Sequence, residues 1–548
     1  MSRSVIVADF ETTTDPLDCR VWAWGMAYID RPMDVEIDDT LEHFIERISM
    51  ENCVVYFHNL RFDGTFILDY LLREGYQYSN EKWGPKKYCF TTLISDLGQF
   101  YTIKVNWGNG FSTEFRDSYK KLPFTVARIA TAFKLGETKG DLDYTLPRPK
   151  GWIPTPEERD YIRRDVSIVA QALAQTLSEG HTKLTVGSDA LTEYKNLTPQ
   201  FAQLFPILNE DIDAEIRRAY RGGFTYAAER YRAKHLGAGI VLDVNSLYPS
   251  VMYNRPLPYG LPDYLEGYVP PKKDKLSVFA VTFTAKLKKN HIPCIQVKNN
   301  VRFRASEYVS EIREPVELVV TEVDWALYND HYDIKVIEYG GTWQFNCTVG
   351  MFKTYIDKWS EIKANSTGAL RELAKLMLNS LYGKFASNPN VTGKYPVMKD
   401  NAVHFVRGPE EMRDPIYTAV GVFITAWARD YTIRSAQANY DTFAYADTDS
   451  LHLLQTHLPE DLEIHPTKLG AWKHEYNFTR SFYMRAKAYM ELADDGEIVT
   501  HIAGVPENVA ADLTFDDLVP GKVLLGKLVP HTVPGGVVLK DTPYRLDF

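Results

Sequence analysis

The sequence predicts an α/β chain of several domains, and three observations predict it. At 548 residues the chain exceeds what one core can organise, and at about 150 residues per domain it divides into three or four. Short β-branched runs alternate with stretches of helical spacing from the N-terminal end onward, the pattern of strands covered by helices. A composition of 45% hydrophobic and 24% charged residues is that of a globular protein and excludes wholesale disorder.

In chain order, residues 4–8 (Ser-Val-Ile-Val-Ala) and 53–58 (Cys-Val-Val-Tyr-Phe-His) read as short strands. Residues 148–156, rich in proline, read as an ordered loop leading into a helix over 160–177, where Ile162, Val166, Val169, Ala170 and Leu173 make one apolar face. A second α/β region spans about 185–254. A lysine-dotted, strand-rich segment follows to about 350, with strands expected at 277–287 and 315–323. One long helical pattern covers 351–386, and residues 387–420 are turn-rich. Helix and strand resume to about 500, and the last 45 residues place Pro-Gly turns between short Val/Leu strands. No repeat or low-complexity segment interrupts this order.

No run reaches the roughly 20 apolar residues of a membrane span. The first strand turns acidic at Asp9, too early for a signal-peptide core. Five cysteines without a Cys-x-x-Cys pair favour neither a disulfide framework nor a zinc ribbon. The expectation is a soluble cytosolic chain with no membrane partner. Sixty-two basic residues against 72 acidic ones leave a net charge of −10. That argues against a nonspecific basic coat for DNA, but not against local basic grooves. The 34 Tyr, 27 Phe and 10 Trp suit base stacking, although packing the core is their commoner use.

Two constellations carry chemistry. In the first, Asp9 and Glu11 lie two apart at the end of a strand, so both carboxylates share a face and Phe10 takes the other. Asp63 follows the second strand, and Tyr161 and Asp165 stand at i and i+4 on one helix face. Four carboxylates from three segments can hold two hard divalent cations, which would activate water against a phosphodiester, with Tyr161 orienting that water. Each acidic feature alone reads as ordinary solvated surface; the ordered set Asp-x-Glu, Asn-x-x-x-Asp, Tyr-x-x-x-Asp resembles the three motifs of DnaQ-like 3′–5′ exonucleases.

In the second, Asp243 ends an apolar strand, and residues 442–454 read as strand, acidic tip, strand, presenting Asp447 and Asp449. Asp449 and Asp243 together would hold two Mg²⁺ for in-line phosphoryl transfer. A lone Asp-Thr-Asp tip more often marks a solvated turn. On the helical pattern, Arg371, Lys375 and Tyr382 fall within roughly 40° of one another, opposite Leu370, Leu373, Met377 and Leu381. Cations one turn apart repel unless an anion lies between them, and a nucleoside triphosphate fits. Lys363 lies off that stripe.

Residues 243–250 (Asp-Val-Asn-Ser-Leu-Tyr-Pro-Ser), 375–384 (Lys-Leu-Met-Leu-Asn-Ser-Leu-Tyr-Gly-Lys) and 445–450 (Tyr-Ala-Asp-Thr-Asp-Ser) resemble motifs A, B and C of family B DNA polymerases. Tyr-Arg-Gly-Gly-Phe (220–224) and Lys-Ala-Tyr (487–489) resemble two further elements of that family. Small size, the long stretch between motifs A and B, and Thr-Ala-Trp-Ala-Arg (425–429) are similar to its protein-primed branch from linear-genome bacteriophages, the phage phi-twenty-nine type.

The resemblance implies an RNase H-like 3′–5′ exonuclease domain (1–183) plus a right-hand polymerase with two insertion subdomains. Its parts would be palm (184–254 and 421–502), fingers (351–386), thumb (503–548), a first insertion that docks the priming protein (255–350) and a second for strand displacement and processivity (387–420). It implies that Asp243 and Asp449, with the Val244 carbonyl and Asp447 in support, hold the catalytic metals. Tyr248 would exclude a 2′-hydroxyl, Lys363, Arg371 and Lys375 would hold the triphosphate, and Tyr382 would stack at the nascent pair. Ser246, Lys487 and Tyr489 would position the primer end. Tyr220, Gly222, Gly223, Thr425, Ala428 and Arg429 would contact template-primer DNA. Thr12, Tyr56, His58, Asn59, Phe62, Phe66, Ser118 and Phe124 would hold a single-stranded 3′ end, with Lys139 assisting catalysis and Asp141 touching a metal. Tyr119 and Arg371 depart from the family's usual Leu and Lys.

The implied cofactor is Mg²⁺, with Mn²⁺ as substitute, two ions at each site. The implied partners are template-primer DNA, dNTPs, the phage terminal protein, and phage single-stranded and double-stranded DNA-binding proteins, met by a monomer in the host bacterial cytoplasm. Other readings compete, among them the priming protein itself and an RNA-templated or RNA-making polymerase, the latter opposed by Tyr248 as the implied sugar gate. An exonuclease with a relict polymerase half is opposed by the intact Asp243, Lys375, Tyr382 and Asp449. A noncatalytic DNA-binding scaffold needs no clustered carboxylates.

Overall fold

A computed structural model describes residues 3–80, 86–297 and 308–548. The first unit is an eight-stranded sheet in the order Glu36–Asp38, Val21–Tyr28, Ser4–Thr12, Cys53–Phe57, Ser112–Asp117, Phe100–Asn106, Cys89–Ile94, Gln77–Tyr78. Ser4–Thr12, Cys53–Phe57 and Ser112–Asp117 run parallel, so their apolar runs are covered on both faces. Ile6, Ala8 and Phe10 pack with Phe66 and Ile67 of the helix Leu60–Arg73. Val7, Val54 and Tyr56 pack with Val166 and Val169 of the helix Pro156–Ser178.

That second helix starts as the loop chemistry requires. Thr155 and Glu158 form a reciprocal capping box with Pro156 in the first turn, and Arg148 and the Trp152 indole both bind the Glu158 carboxylate. It lies so close to Val21–Tyr28 that a Cβ on Gly25 would come 2.5 Å from Ile162.

The second unit is an antiparallel sheet in the order Ile498–Ile502, Ala488–Ala493, Trp472–Arg485, Gly239–Val244, Ser450–Leu453, Phe443–Asp447, Thr225–Ala227, with His235–Leu236 alongside Trp472–Arg485. Its apolar face packs on the helices Thr418–Ala438 and Leu247–Asn254. A four-stranded sheet follows in the order Leu257–Leu265, Tyr332–Thr348, Lys275–Leu287, Glu311–Thr321. Pro315 is tolerated because its strand is an edge, and the expected strand at 315–323 gives way at Thr321, which caps a helix over Glu322–His331.

The single helical pattern at 351–386 is two helices, Lys353–Asn365 and Ala369–Phe385. Between them Gly368 takes a φ of +62°, which L side chains avoid. The turn-rich segment is a hairpin of Asn390–Lys399 and Ala402–Met412. A second hairpin, Leu528–Val533 with Gly536–Asp541, returns to the first unit. Among the described residues no helix is long and apolar enough to cross a membrane.

Candidate active sites

The strand Ser4–Thr12 aims Asp9 and Glu11 at the face covered by Pro156–Ser178, where Asp165 waits one turn from Tyr161. Asp63 enters from the first turn of Leu60–Arg73. Glu11, Asp63 and Asp165 are almost fully buried. Burial, then the charge of Asp165, pushes the Asp9 carboxyl up to about 7, against the opposing pull of Lys139. Burial and neighbouring carboxylates also raise Glu11 and Asp63 well above the ordinary range. Lys139 reaches Asp165 at 3.0 Å. Tyr161 bonds both Asp165 and, at 2.8 Å, the hydroxyl of Tyr144.

One Asp63 oxygen and one Asp165 oxygen are buried with no hydrogen-bond partner. Buried anionic oxygens left unpaired are costly, and hard oxygen donors in such a set suit divalent cations. The set is open. Among the described residues only the group Asp38, Asp39 and His43 brings three ligand atoms within 4.8 Å of one another. Asp141 is exposed and absent from the main charges acting on Asp9 and Glu11.

Around this site Asn59 is exposed in a left-handed conformation at φ +80°, while Thr12, Phe62 and Phe124 are half-buried. Three residues expected to touch a single strand do not reach the surface. Tyr56 packs in the core between sheet and helix. Phe66 lies beneath the C-terminal hairpin, where a Cβ on Gly536 would meet its ring at 2.3 Å. Ser118 is fully buried and bonds the Phe57 carbonyl and His58 Nδ1. His58 spends its other nitrogen on the Phe124 carbonyl at 2.7 Å, so both nitrogens are occupied in fixing that strand end.

Asp117 went unnoticed in the sequence. It accepts from the backbone N–H groups of Asn59 and Tyr119, each at 3.0 Å, and so locks the two loops together. Its signal was a turn-forming Asp before Ser118. Tyr144, in an irregular loop, gave none.

In the second unit, register makes the site. Asp243 lies opposite Ser450, and Val244 N–H donates to the Asp449 carbonyl at 2.8 Å, which brings Asp243 and Asp449 together. Burial, then Asp449 and Glu475, pushes Asp243 up to about 7, and burial raises Asp449 as well. One Asp243 oxygen is buried and unpartnered, again a fit for a cation. Asp447 is differently engaged. Its carboxylate takes Lys487 Nζ at 2.7 and 2.9 Å and the Thr225 hydroxyl at 2.8 Å.

Thr448 turns this tip at φ +62° and sits against Gly223 so closely that a Cβ there would lie 2.7 Å from its hydroxyl. The Tyr-Arg-Gly-Gly segment is thereby clamped to the acidic tip, with Gly222 exposed and Tyr220 half-buried beside Tyr382. Ser246, at φ +55°, starts the helix that carries Tyr248, whose ring stacks on Tyr382 at 4.1 Å.

Arg371 donates to the Lys363 carbonyl at 2.6 Å, and Lys375 pairs with Glu372 at 2.7 Å. Burial, then Arg371 and Lys375, lowers the Lys363 ammonium. Lys363 missed the helical stripe because it belongs to the other helix, and the break at Gly368 folds it back onto Arg371.

Arg429, Thr425 and Ala428 require correction. All three are buried in Thr418–Ala438, so they offer DNA no surface. Arg429 pairs with Asp324, its Nη2 donating to both carboxylate oxygens at 2.8 Å and its Nε to one of them at 3.1 Å. It also donates to the Arg221 and Gly222 carbonyls, shaping the loop from behind. Thr425 bonds its own helix.

The profile of DNA polymerase type B, organellar and viral, matches residues 45–465. The chain belongs to the type B DNA polymerases of viruses and organelles. This polymerase is 44% identical to the DNA polymerase of Bacillus phage Nf over all of both chains, and 32% identical to that of Streptococcus phage Cp-1, covering 98% of each. Its fold matches that of the phi29 DNA polymerase complexed with primer-template DNA and incoming nucleotide substrates, with a TM-score of 0.94 and 42% identity over 99% of this chain and 100% of the other. It is therefore a viral-type, DNA-directed DNA polymerase of α/β multidomain fold.

Proposed function

We propose that this polymerase synthesises DNA at the Asp243–Asp449 site and trims 3′ ends at the Asp9–Glu11–Asp63–Asp165 site. The observation that carries the reading is two carboxylate sets in two different units, each with at least one buried carboxylate oxygen left unpartnered. The residues fit Mg²⁺, or Mn²⁺ in its place, held by Asp243, Asp449 and the Val244 carbonyl in one site and by Asp9, Glu11, Asp63 and Asp165 in the other. Divalent cations bound there supply the charge that acidifies an attacking hydroxyl or water and neutralises phosphate oxygens.

The chain's own residues do the rest. Lys363, Arg371 and Lys375 converge from two helices and hold the triphosphate. Tyr382 receives the incoming base, and Tyr248 walls off a 2′-hydroxyl. Lys487, steadied by Asp447, holds the primer end with Ser246 and Tyr489. At the trimming site Tyr161 orients water and Lys139 balances Asp165, while Thr12, Asn59, Phe62 and Phe124 line the approach of the single strand.

Initiation is protein-primed, with residues 255–350 as the dock for a terminal protein, and synthesis displaces the strand ahead. Support for displacement lies in two hairpins that close on the exonuclease unit. Arg73 donates to Asn401 at the tip of the first, at 2.6 and 2.8 Å, and Tyr395 stacks on Tyr78. The Gly535 N–H of the second donates to Asp69. Enclosure of this kind keeps DNA bound to a chain of net charge −10 without a strongly basic coat.

The test is primer extension with Mg²⁺ and dNTPs on a primed circular template. The parent protein gives long products, and Asp449→Ala gives none while still shortening 3′ ends. Extension by Asp449→Ala at the parental rate contradicts the reading.

A further inference from the structure

Behind Lys487 lies a buried charged group that neither site uses. Glu491, in Ala488–Ala493, is fully buried, and His452, in Ser450–Leu453, is nearly so. His452 Nδ1 donates to Glu491 Oε1 at 2.7 Å. The Tyr483 hydroxyl donates to the same oxygen at 2.5 Å and the Tyr476 hydroxyl to the other at 2.6 Å. Burial would raise the Glu491 carboxyl, but His452 and the two hydroxyls outweigh it and hold the group below its ordinary value. Three side chains from two strands are thus locked to one carboxylate. Such groups add little net stability over an apolar packing and are best explained by what they position.

What they position is visible. Tyr483 stacks on Tyr445 with ring planes 9° apart and centroids 5.4 Å apart. The His452 ring lies 5.0 Å from both Tyr445 and Tyr489. The Tyr445 hydroxyl accepts from Lys487 N–H at 3.0 Å. Lys487 itself sits at φ +59°, a left-handed conformation that a non-glycine residue keeps only where surrounding contacts over-determine it. At that tip its ammonium meets Asp447, next to Asp449. The carboxylate therefore reaches the strained turn through Tyr483 and Tyr445, and through His452 it also touches the Tyr489 ring two residues beyond Lys487.

We infer that Glu491 and His452 are positioning residues of the polymerase site: through Tyr483, Tyr445 and Tyr489 they fix where Lys487 stands and so hold the primer 3′ end in register with Asp243 and Asp449. This rests on the reading of Lys487 as a primer-end residue, and Lys487→Ala serves as the control for that reading. Neither residue touches the reacting atoms.

The experiment is steady-state extension by Glu491→Gln, Tyr483→Phe and Lys487→Ala, with primer-template and dNTP varied separately and 3′-end trimming measured on the same DNA. Glu491→Gln is expected to raise the KM for primer-template about tenfold, the scale of losing a buried charged hydrogen bond. Its KM for dNTP should stay within about twofold of parent, and the ratio of trimming to extension should rise. Tyr483→Phe, which keeps the stacked ring and removes one hydroxyl, should shift the same quantities in the same direction by less. It decides the matter if Glu491→Gln fails to fold.

A folded Glu491→Gln or Tyr483→Phe with parental primer KM and parental trimming ratio overturns the inference when Lys487→Ala shows the primer defect. Equal rises in the KM for primer and for dNTP overturn it as well, since that marks general loosening. A Lys487→Ala variant without any primer defect overturns the reading beneath it and the inference with it.

Discussion

Asp9 and Asp243 arrive at the same value, about 7, in different surroundings. Asp9 is crowded by Asp165 and relieved by Lys139, on carboxylates gathered from a strand and two helices. Asp243 is crowded by Asp449 and Glu475 on an antiparallel sheet, where register brings the pair together. Of the nearby cations, Lys487 is committed to Asp447 and Lys473 to Glu475, and Lys473 pulls Asp243 down less than its acidic neighbours push it up. The first site is a pocket whose charge is partly balanced by the protein. The second is a surface that depends on what binds there, which suits a centre that must admit a long duplex and a triphosphate in turn.

If the two sites are independent, the largest effects come from emptying one of them. Asp9→Ala with Asp63→Ala should lower 3′-end degradation about a thousandfold or more while extension continues near the parental rate, measured on end-labelled single strands and on primed template. Equal loss of both activities in a folded variant would mean that the sites share a function.

A smaller change is expected at the nucleotide wall. Tyr248→Val removes the ring stacked on Tyr382 and should relax discrimination against rNTPs about a hundredfold, the few kcal/mol that steric exclusion supplies. Unchanged rNTP to dNTP ratios in single-nucleotide insertion would assign the gate to another residue.

Smaller again is the effect of loosening the first hairpin from the first unit. Arg73→Ala frees the Asn401 tip and should shorten displacement products severalfold, and more steeply as salt rises, while gap filling on single-stranded template is spared. Displacement length on a nicked circle at two salt concentrations checks this, and a parental salt response would remove Arg73 from the closure.

The finest distinction is thermodynamic. Asp243 has its proton affinity raised on folding, from 3.8 to about 7, so between those values the folded state binds more protons than the unfolded. Stability without divalent cations should then fall as pH rises through that window and level off above it. Asp243→Asn should melt a few degrees higher than parent at pH 8 without Mg²⁺ and lose that advantage when Mg²⁺ is added to both. A lower melting point for the variant at pH 8 would deny that Asp243 is strained by charge.

What was legible in the sequence follows the reach of each rule. Period 2 put Asp9 beside Glu11, i and i+4 put Tyr161 beside Asp165, and an acidic tip between two apolar runs marked the hairpin of Asp447 and Asp449. Burial from distant segments was not legible. Thr425, Ala428 and Arg429 read as contacts to template-primer DNA until Asp324, about a hundred residues earlier, supplies the partner that lets Arg429 be buried. Phe66 looks available until the C-terminal hairpin covers it. Lys363 looked misplaced on a single helix, and the turn at Gly368 put it with Arg371 and Lys375. Glu491 and His452 carried no signal, because each lies in an ordinary alternating strand and their pairing depends on sheet order.

Two separate divalent-cation centres in one chain should be resolved by calorimetric titration of the full protein with Mn²⁺. The parent, Asp9→Asn with Asp63→Asn, and Asp243→Asn with Asp449→Asn should be titrated side by side at pH 8. Each double variant is expected to lose one class of binding and to keep the other at parental affinity. Loss of all binding in either variant, or full parental binding in both, would contradict it.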